Sequence, residues 1–281
     1  MSDLEKYRLA GVIGAPISHS KSPAIHGHWI QKHGIKGQYV PLEIAQKDFA
    51  EALRLLPRMG FVGVNVTIPH KLSALSLADQ VTDRAALIGA ANTLTFRTDG
   101  TIFADNTDGF GFIENIRAKY PDWSAKDGPA VILGAGGAAR AALAALIEAG
   151  APEIRLANRT RARAEALRTE FGGRVTVAEW VQAGNLIDGA ATVVNCSALG
   201  MTGKPELKVP LDGLSKSALV TDMVYSPLRT RLLAEAEDRG CRTVDGLGML
   251  LHQAVPGFER WFGVRPEVDD ETRNLVLGLQ S

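Results

Sequence analysis

Cysteine is nearly absent from this chain: Cys196 and Cys241 are the only two in 281 residues. They lie far apart and form no metal-type pattern, which excludes a disulfide-stapled scaffold and points to reduced thiols in a cytoplasmic setting. Net charge is absent as well, because 31 Lys plus Arg balance 31 Asp plus Glu. That leaves no basic footprint for nucleic acid. No run of about 18 uncharged apolar residues occurs, so no membrane-spanning helix is expected. The start, Met1-Ser-Asp-Leu-Glu-Lys6, has no basic stretch followed by an apolar one and does not read as a signal peptide. No internal repeat of roughly 20–50 residues is present, which excludes a solenoid. The six histidines form no H-x-x-x-H pair. His26 and His28 are two apart on an expected helix and diverge, so no metal is expected.

What is present is an ordinary globular mixture, 46% apolar and 22% charged. The length suits two domains at about 150 residues each. Residues 7–14 read as a strand, and Ser22-Pro23 opens a helix, with Ser22 as N-cap and Pro23 at the first helical position. A strand at 38–42 and a helical stretch at 46–58 follow. Residues 61–67 alternate, with Val62, Val64 and Val66 on one face and Gly63, Asn65 and Thr67 on the other. Pro69 stops that strand and a helix begins near Lys71; residues 91–105 read as a hairpin around Asp99-Gly100.

A linker-like stretch, Tyr120 to Pro129, precedes a second series. Strands are expected at 130–133, 153–157, 191–195, 218–224 and 241–244, with helices to Ala149, at 161–171 and at 229–239. This spacing implies a mostly parallel sheet with right-handed crossovers. Two closing helices, 247–262 and about 270–280, can pack back on the first domain. The expected fold is α/β in two domains: an N-terminal α/β substrate domain of residues 1–107 plus 246–281, and a Rossmann-type doubly wound domain of residues 108–245.

The strand at 131–133 runs into Gly134-Ala135-Gly136-Gly137-Ala138-Ala139 and then a helix. Glycines there permit the tight turn and bring backbone N–H groups to a pyrophosphate at the helix N-terminus. A dinucleotide site for NAD carries an acid about 20 residues further on. Here the next strand ends in Asn158-Arg159-Thr160-Arg161-Ala162-Arg163, without a carboxylate. Guanidinium groups fork onto an adenosine 2′-phosphate, so the expected cofactor is NADP.

Polar residues gather at strand ends in the first block: Ser18-His19-Ser20-Lys21-Ser22 before a helix, Asn65 and Thr67 ahead of Lys71, Ala91-Asn92-Thr93, and Asn106-Thr107-Asp108. Hydroxyls at a helix start suit a small anion such as a carboxylate. The four clusters together suggest a polyhydroxylated acid as ligand. With these pieces quoted, the chain resembles the shikimate dehydrogenase family. The matching segments run in order over nearly the whole chain: Gly14 to Pro23, Gly63 to Lys71, Gly89 to Leu94, Asp105 to Gly109, Gly134 to Ala138, Asn158-Arg159-Thr160, Asp222 to Pro227, and Asp245 to Ala254. Two departures are Asn195-Cys196-Ser197, where the family often has Asn-Ala-Thr, and Gly27, where it often has Asn.

The resemblance implies reversible reduction of 3-dehydroshikimate to shikimate with NADPH, on the route to chorismate and aromatic amino acids. It implies that Ser20 and Ser22 hold the substrate carboxylate, and that Thr67, Asn92, Asp108 and Gln253 bind ring hydroxyls with Tyr225 nearby. Lys71, paired with Asp108, is the implied proton-transfer residue, and an ammonium is a suitable donor to a developing alkoxide. Met223 and Gly246 are implied to border the nicotinamide. Asp83 is implied to lie near the cofactor, its plain alternative being a first-turn acid after Thr82. A quinate/shikimate dehydrogenase using NAD is a close variant, and a non-catalytic nucleotide-binding regulator is an alternative from another class. The resemblance allows a monomer or a homodimer.

Overall fold

The computed structural model describes residues 7–278. Met1–Lys6, on which the signal-peptide reading rests, and the end of the last expected helix lie outside the described residues. The chain divides into two units: one runs to Thr107 and resumes at Leu251, and the other is Asp108–Leu250. The second crossing therefore falls a few residues beyond the expected 245/246. Asp245 and Gly248 both pack against Asn115 of the second unit. A Cβ on Gly248 would sit 1.8 Å from Asn115 Oδ1, and Asn115 Nδ2 donates to the Asp245 carbonyl at 2.7 Å.

In the first unit β1 (Arg8–Gly14), β2 (Gly37–Glu43), β3 (Phe61–Val66), β4 (Gln80–Val81), β5 (Thr93–Phe96) and β6 (Ile102–Asp105) make one sheet. Its order is β2-β1-β3-β5-β6-β4. β1 pairs parallel with β2 and β3, while the β5–β6 hairpin is antiparallel and joins β3 antiparallel. Both faces of β3 are covered. Val64 and Val66 enter the apolar core with Ile13, Phe49 and Leu94. On the other face a Cβ at Gly63 would lie 1.9 Å from Trp261 Nε1, so only glycine fits beneath that indole. Trp261 belongs to helix Val255–Phe262, and its Nε1 donates to the Leu94 carbonyl at 3.1 Å.

Asp105, at the end of β6, is fully buried. It accepts from Arg84 Nε at 2.7 Å and Nη2 at 2.5 Å, from Arg260 Nη2 at 2.6 Å and from Thr82 Oγ1 at 2.8 Å. Burial alone raises a carboxyl's pKa, but the two guanidinium groups outweigh it and hold this one at about 2, below its ordinary 3.8. A depressed folded value contributes stability above the unfolded pKa and loses it as pH falls through the folded one. Asp105→Asn should therefore cost about 2 kcal/mol at neutral pH. In chemical unfolding the gap to the native chain should close as pH drops towards 2; a gap independent of pH would contradict the ionic origin.

In the second unit β7 (Ala130–Leu133), β8 (Ile154–Ala157), β9 (Val175–Ala178), β10 (Thr192–Asn195), β11 (Leu219–Asp222) and β12 (Arg242–Val244) form a sheet ordered β12-β11-β10-β7-β8-β9. All its pairings are parallel. This is the doubly wound Rossmann order, with the switch point between β7 and β10. Besides short helical turns, helix Ala183–Leu186, strand β9 and helix Asp108–Lys119 escaped the sequence. β9 is four residues at the sheet edge, too short for periodicity to show. Helix Asp108–Lys119 begins Asp-Gly-Phe-Gly, which reads as a turn. Gly109 is needed because a Cβ there would meet the Ala141 carbonyl at 3.0 Å and Ala145 Cβ at 3.1 Å. The expected helix 247–262 is broken into Leu247–His252 and Val255–Phe262, with Gln253 at the break. No helix of the described residues is long and apolar enough to cross a membrane.

Candidate active site

The polar residues of the first unit are wired together through its interior. Tyr39 on β2 is buried, and its hydroxyl donates to Asn65 Oδ1 at 2.7 Å. Asn65 Nδ2 donates to the Asn92 carbonyl and to Thr93 Oγ1, each at 3.1 Å. Asn92 Oδ1 accepts from Thr93 Oγ1 at 2.9 Å and from the Thr107 backbone N–H at 2.9 Å. Thr107 Oγ1 donates to the Gln253 carbonyl at 2.8 Å, and Asn92 Nδ2 reaches Gln253 Oε1 at 3.4 Å. Residues 65, 92 and 253 are thereby fixed relative to one another. A satisfied network of this kind specifies one arrangement of its members.

Ser22 is not the helix cap expected from sequence. The N-cap position of helix Ser22–Lys32 is Lys21, without a side-chain hydrogen bond. Pro23 bars an ordinary N–H at the first turn, and the chain turns one residue earlier, where Ser20 Oγ accepts from the Ser22 backbone N–H at 3.3 Å. Ser22 is buried, and its side chain tempers the rise that burial gives the Tyr39 phenol's pKa. Thr67 follows β3, half-buried, and its hydroxyl makes no hydrogen bond among the described residues. Lys71 is the first residue of helix Lys71–Ser76 and is half-buried. Its backbone is pinned by the Ala91 N–H at 2.9 Å. His70 beside it stacks on Phe49 at 4.4 Å and bonds the Ile44 carbonyl at 2.8 Å. Asp83 is exposed in the first turn of helix Asp83–Ile88, where Thr82 is the cap, as in its plain alternative.

In the second unit Gly134, at φ +120°, lets the chain leave β7 past Cys196 and Ser197, whose backbone atoms lie 3.0 Å from where its Cβ would be. Gly136 is the N-cap of helix Gly137–Glu148 and carries no side-chain cap. Positions 136 and 137 face open space, with nothing within 4 Å of either Cβ direction. Ala135 and Ala138 are half-buried around this turn. A bare helix N-terminus beside open backbone is what a pyrophosphate requires, so the residues fit the dinucleotide. After β8, Asn158 Nδ2 donates to the Thr160 carbonyl at 2.8 Å and shapes the turn. Of the three arginines, Arg161 is engaged by Glu165 at 3.1 Å and Glu179 at 2.5 Å. Arg159 and Arg163 are exposed and make no ion pair among the described residues.

Asp222 closes β11, accepting from Asn195 Nδ2 at 2.9 Å, the Val224 N–H at 2.9 Å and Thr230 Oγ1 at 2.7 Å. Burial pushes its pKa up, against these bonds. It anchors the turn that carries Met223 and the exposed Tyr225. Met223 and Gly246 do meet: a Cβ on Gly246 would lie 2.5 Å from the Met223 carbonyl. Asp108 opens helix Asp108–Lys119 and is half-buried. Burial pushes the Cys196 thiol well up, which marks it as core and not a nucleophile.

His26 and His28 diverge as expected: His26 is buried, while His28 lies with Asp269 and Glu271, their ligand atoms within 4.8 Å. Those two acids are already bridged by Lys32 Nζ, at 2.5 and 2.9 Å. Sequence reasoning overlooked Tyr39 and Thr107 as parts of the site. Tyr39 could have been found from its place on a strand beside Ser22's helix; Thr107 gave no signal beyond its quoted motif.

Family models match three parts of the chain: a shikimate dehydrogenase substrate binding domain over residues 12–94, a shikimate/quinate 5-dehydrogenase over 117–200, and a shikimate 5′-dehydrogenase C-terminal domain over 246–270. The chain is 67% identical over 277 residues to a shikimate dehydrogenase (NADP(+)) of Cereibacter sphaeroides, covering 99% of each. Among solved structures it is similar to the shikimate 5-dehydrogenase of Thermus thermophilus in complex with NADP(H) and shikimate, with TM-score 0.84 and 35% identity over 98% of this chain and 100% of that one. It is also similar to a quinate dehydrogenase of Corynebacterium glutamicum in complex with NAD, with TM-score 0.89 and 30% identity over 98% of this chain and 100% of that one.

Proposed function

The chain belongs to the shikimate dehydrogenase family, and from that premise we propose how its own residues carry the reaction. It catalyses the reversible NADPH-dependent reduction of 3-dehydroshikimate to shikimate, a step towards chorismate and aromatic amino acids. We assign substrate binding to the unit that ends at Thr107 and resumes at Leu251, and NADP binding to the Asp108–Leu250 unit. The observation that carries the assignment is the buried network that aligns Asn65, Asn92 and Gln253.

In this reading Ser20 and Ser22 take the substrate carboxylate at the start of helix Ser22–Lys32. Thr67 offers its hydroxyl, and Asn92 and Gln253 their amides, to the ring oxygens. The dinucleotide supplies the hydride when bound. Lys71 gives the proton that the new hydroxyl needs, with Asp108 as the carboxylate that works with it. Gly136, Gly137 and the helix behind them hold the pyrophosphate, and Arg159 and Arg163 take the adenosine 2′-phosphate. Met223 and Gly246 border the nicotinamide. Purified protein with 3-dehydroshikimate should bleach the NADPH absorbance and yield shikimate; no consumption with this pair would overturn the reading.

Ser20→Ala combined with Ser22→Ala tests the carboxylate site. Each hydrogen bond to a charged group contributes about 1.5–3 kcal/mol, so the shikimate KM should rise more than about tenfold. Ser22 does not cap its helix, so the only bond lost at the helix start is that from the Ser22 N–H to Ser20 Oγ. A lowered melting temperature with an unchanged KM would remove both serines from the site.

A further inference from the structure

His26 sits on helix Ser22–Lys32 one turn after Ser22, on the same face. It is fully buried. Its ring lies flat on that of Tyr39, with centroids 4.0 Å apart and planes 1° from parallel. Trp29 meets it edge-on at 5.7 Å, and Phe258 and Trp261 close the box at 5.8 Å each. Two residues of one helix thus grip one tyrosine: Ser22 at its hydroxyl and His26 at its ring face. The same hydroxyl donates to Asn65 at 2.7 Å.

The chemistry of this position is unusual. Neither ring nitrogen of His26 makes a hydrogen bond of good geometry, although the Asn65 side chain is in range. Buried polar groups are nearly always satisfied, and an apolar ring would fill an aromatic box without the desolvation cost. Burial holds its pKa down at about 3, against the weaker effect of Asn65, so the ring is neutral around neutral pH. A buried ring stacked flat on the tyrosine that bonds Asn65 calls for a functional account.

We propose that His26 is a positioning residue for the substrate site: its ring fixes Tyr39, whose hydroxyl holds Ser22 and Asn65 in register. When a carboxylate takes the Ser22 hydroxyl, Tyr39 retains Asn65 as its acceptor, and the stack with the neighbouring imidazole keeps the phenol from turning. The inference rests on the proposed carboxylate role of Ser22.

The test is His26→Leu, which keeps the position apolar and removes the ring that stacks on Tyr39. Its melting temperature should rise or hold, because an unsatisfied polar group is gone. Its shikimate KM should nevertheless increase about three- to tenfold, because a Tyr39 free to turn gives up the hold of its hydroxyl on the site, and one neutral hydrogen bond is worth about that much. The NADP+ KM and kcat should stay near the native values. Tyr39→Phe should show the same split, and the double variant should be no worse than Tyr39→Phe alone, since both act on one hydroxyl. His26→Phe, which restores a ring over Tyr39, should return the shikimate KM towards the native value, and a KM as high as that of His26→Leu would overturn the role of the stack. An unchanged shikimate KM, parallel rises for shikimate and NADP+, or losses that add in the double variant would each overturn the proposal. Native protein inactive with shikimate and NADP+ would instead overturn the functional reading beneath it.

Discussion

Lys71→Ala should lower kcat by about 10²–10⁴, the usual worth of a positioned acid–base group. The shikimate KM should change far less, because Ser20, Ser22, Asn92 and Gln253 are left in place to hold the ring. The backbone around the lysine is fixed independently of its side chain. Its carbonyl accepts from Ala91, the Ala74 N–H bonds His70 at 2.8 Å, and the His70 ring is pinned to Ile44 and Phe49. Removing the ammonium should therefore leave the melting temperature nearly unchanged. A kcat near the native value would show that the proton reaches the ketone oxygen by another route.

Replacing Arg159 and Arg163 together by alanine should produce the other large effect. A forked guanidinium on a phosphate contributes about 1.5–3 kcal/mol, so even one of them should raise the NADP+ KM by roughly 10–150-fold, and the pair further. The NAD+ KM should barely move, because NAD+ lacks the phosphate. Arg161→Ala should behave differently. Its guanidinium is committed to Glu165 and Glu179, so it should cost little with either cofactor; exposed ion pairs contribute about 0–1 kcal/mol. Adding Asn158→Asp should repel the 2′-phosphate and accept from a ribose hydroxyl, tilting preference to NAD+. Equal losses for both cofactors in the double variant would show that these arginines support the fold and do not read the phosphate.

The doubly wound unit was legible in the sequence because its signals are local. A strand that ends in Gly134-Ala-Gly-Gly needs no partner to be recognised, and the helix Arg161–Phe171 falls where its pattern put it. The substrate unit was legible as a set of motifs but not as a network. Gln253 lies 161 residues from Asn92, and nothing in either segment says that their amides meet. Ser22 shows the limit of a local rule: Ser-Pro reads as a cap and first helical residue, yet Ser22 is itself the first, buried residue of the helix and Lys21 takes the cap position. Gly63 sits inside the expected strand and Gly109 in a motif, with nothing local to say why either must be glycine. Both are demanded by neighbours distant in sequence, Trp261 and Ala141. β9 and helix Asp108–Lys119 were missed for lack of periodicity in one and the glycines at the start of the other.

The central claim is that this chain oxidises shikimate with NADP+ and selects that cofactor through its 2′-phosphate. The most direct measurement is kcat/KM for the four pairings of shikimate or quinate with NADP+ or NAD+, followed at the nicotinamide absorbance with one preparation of native protein. Shikimate with NADP+ should be the fastest pairing, and exchange for NAD+ should cost about tenfold or more, the worth of one guanidinium–phosphate fork. A higher kcat/KM for quinate with NAD+ than for shikimate with NADP+ would contradict the account.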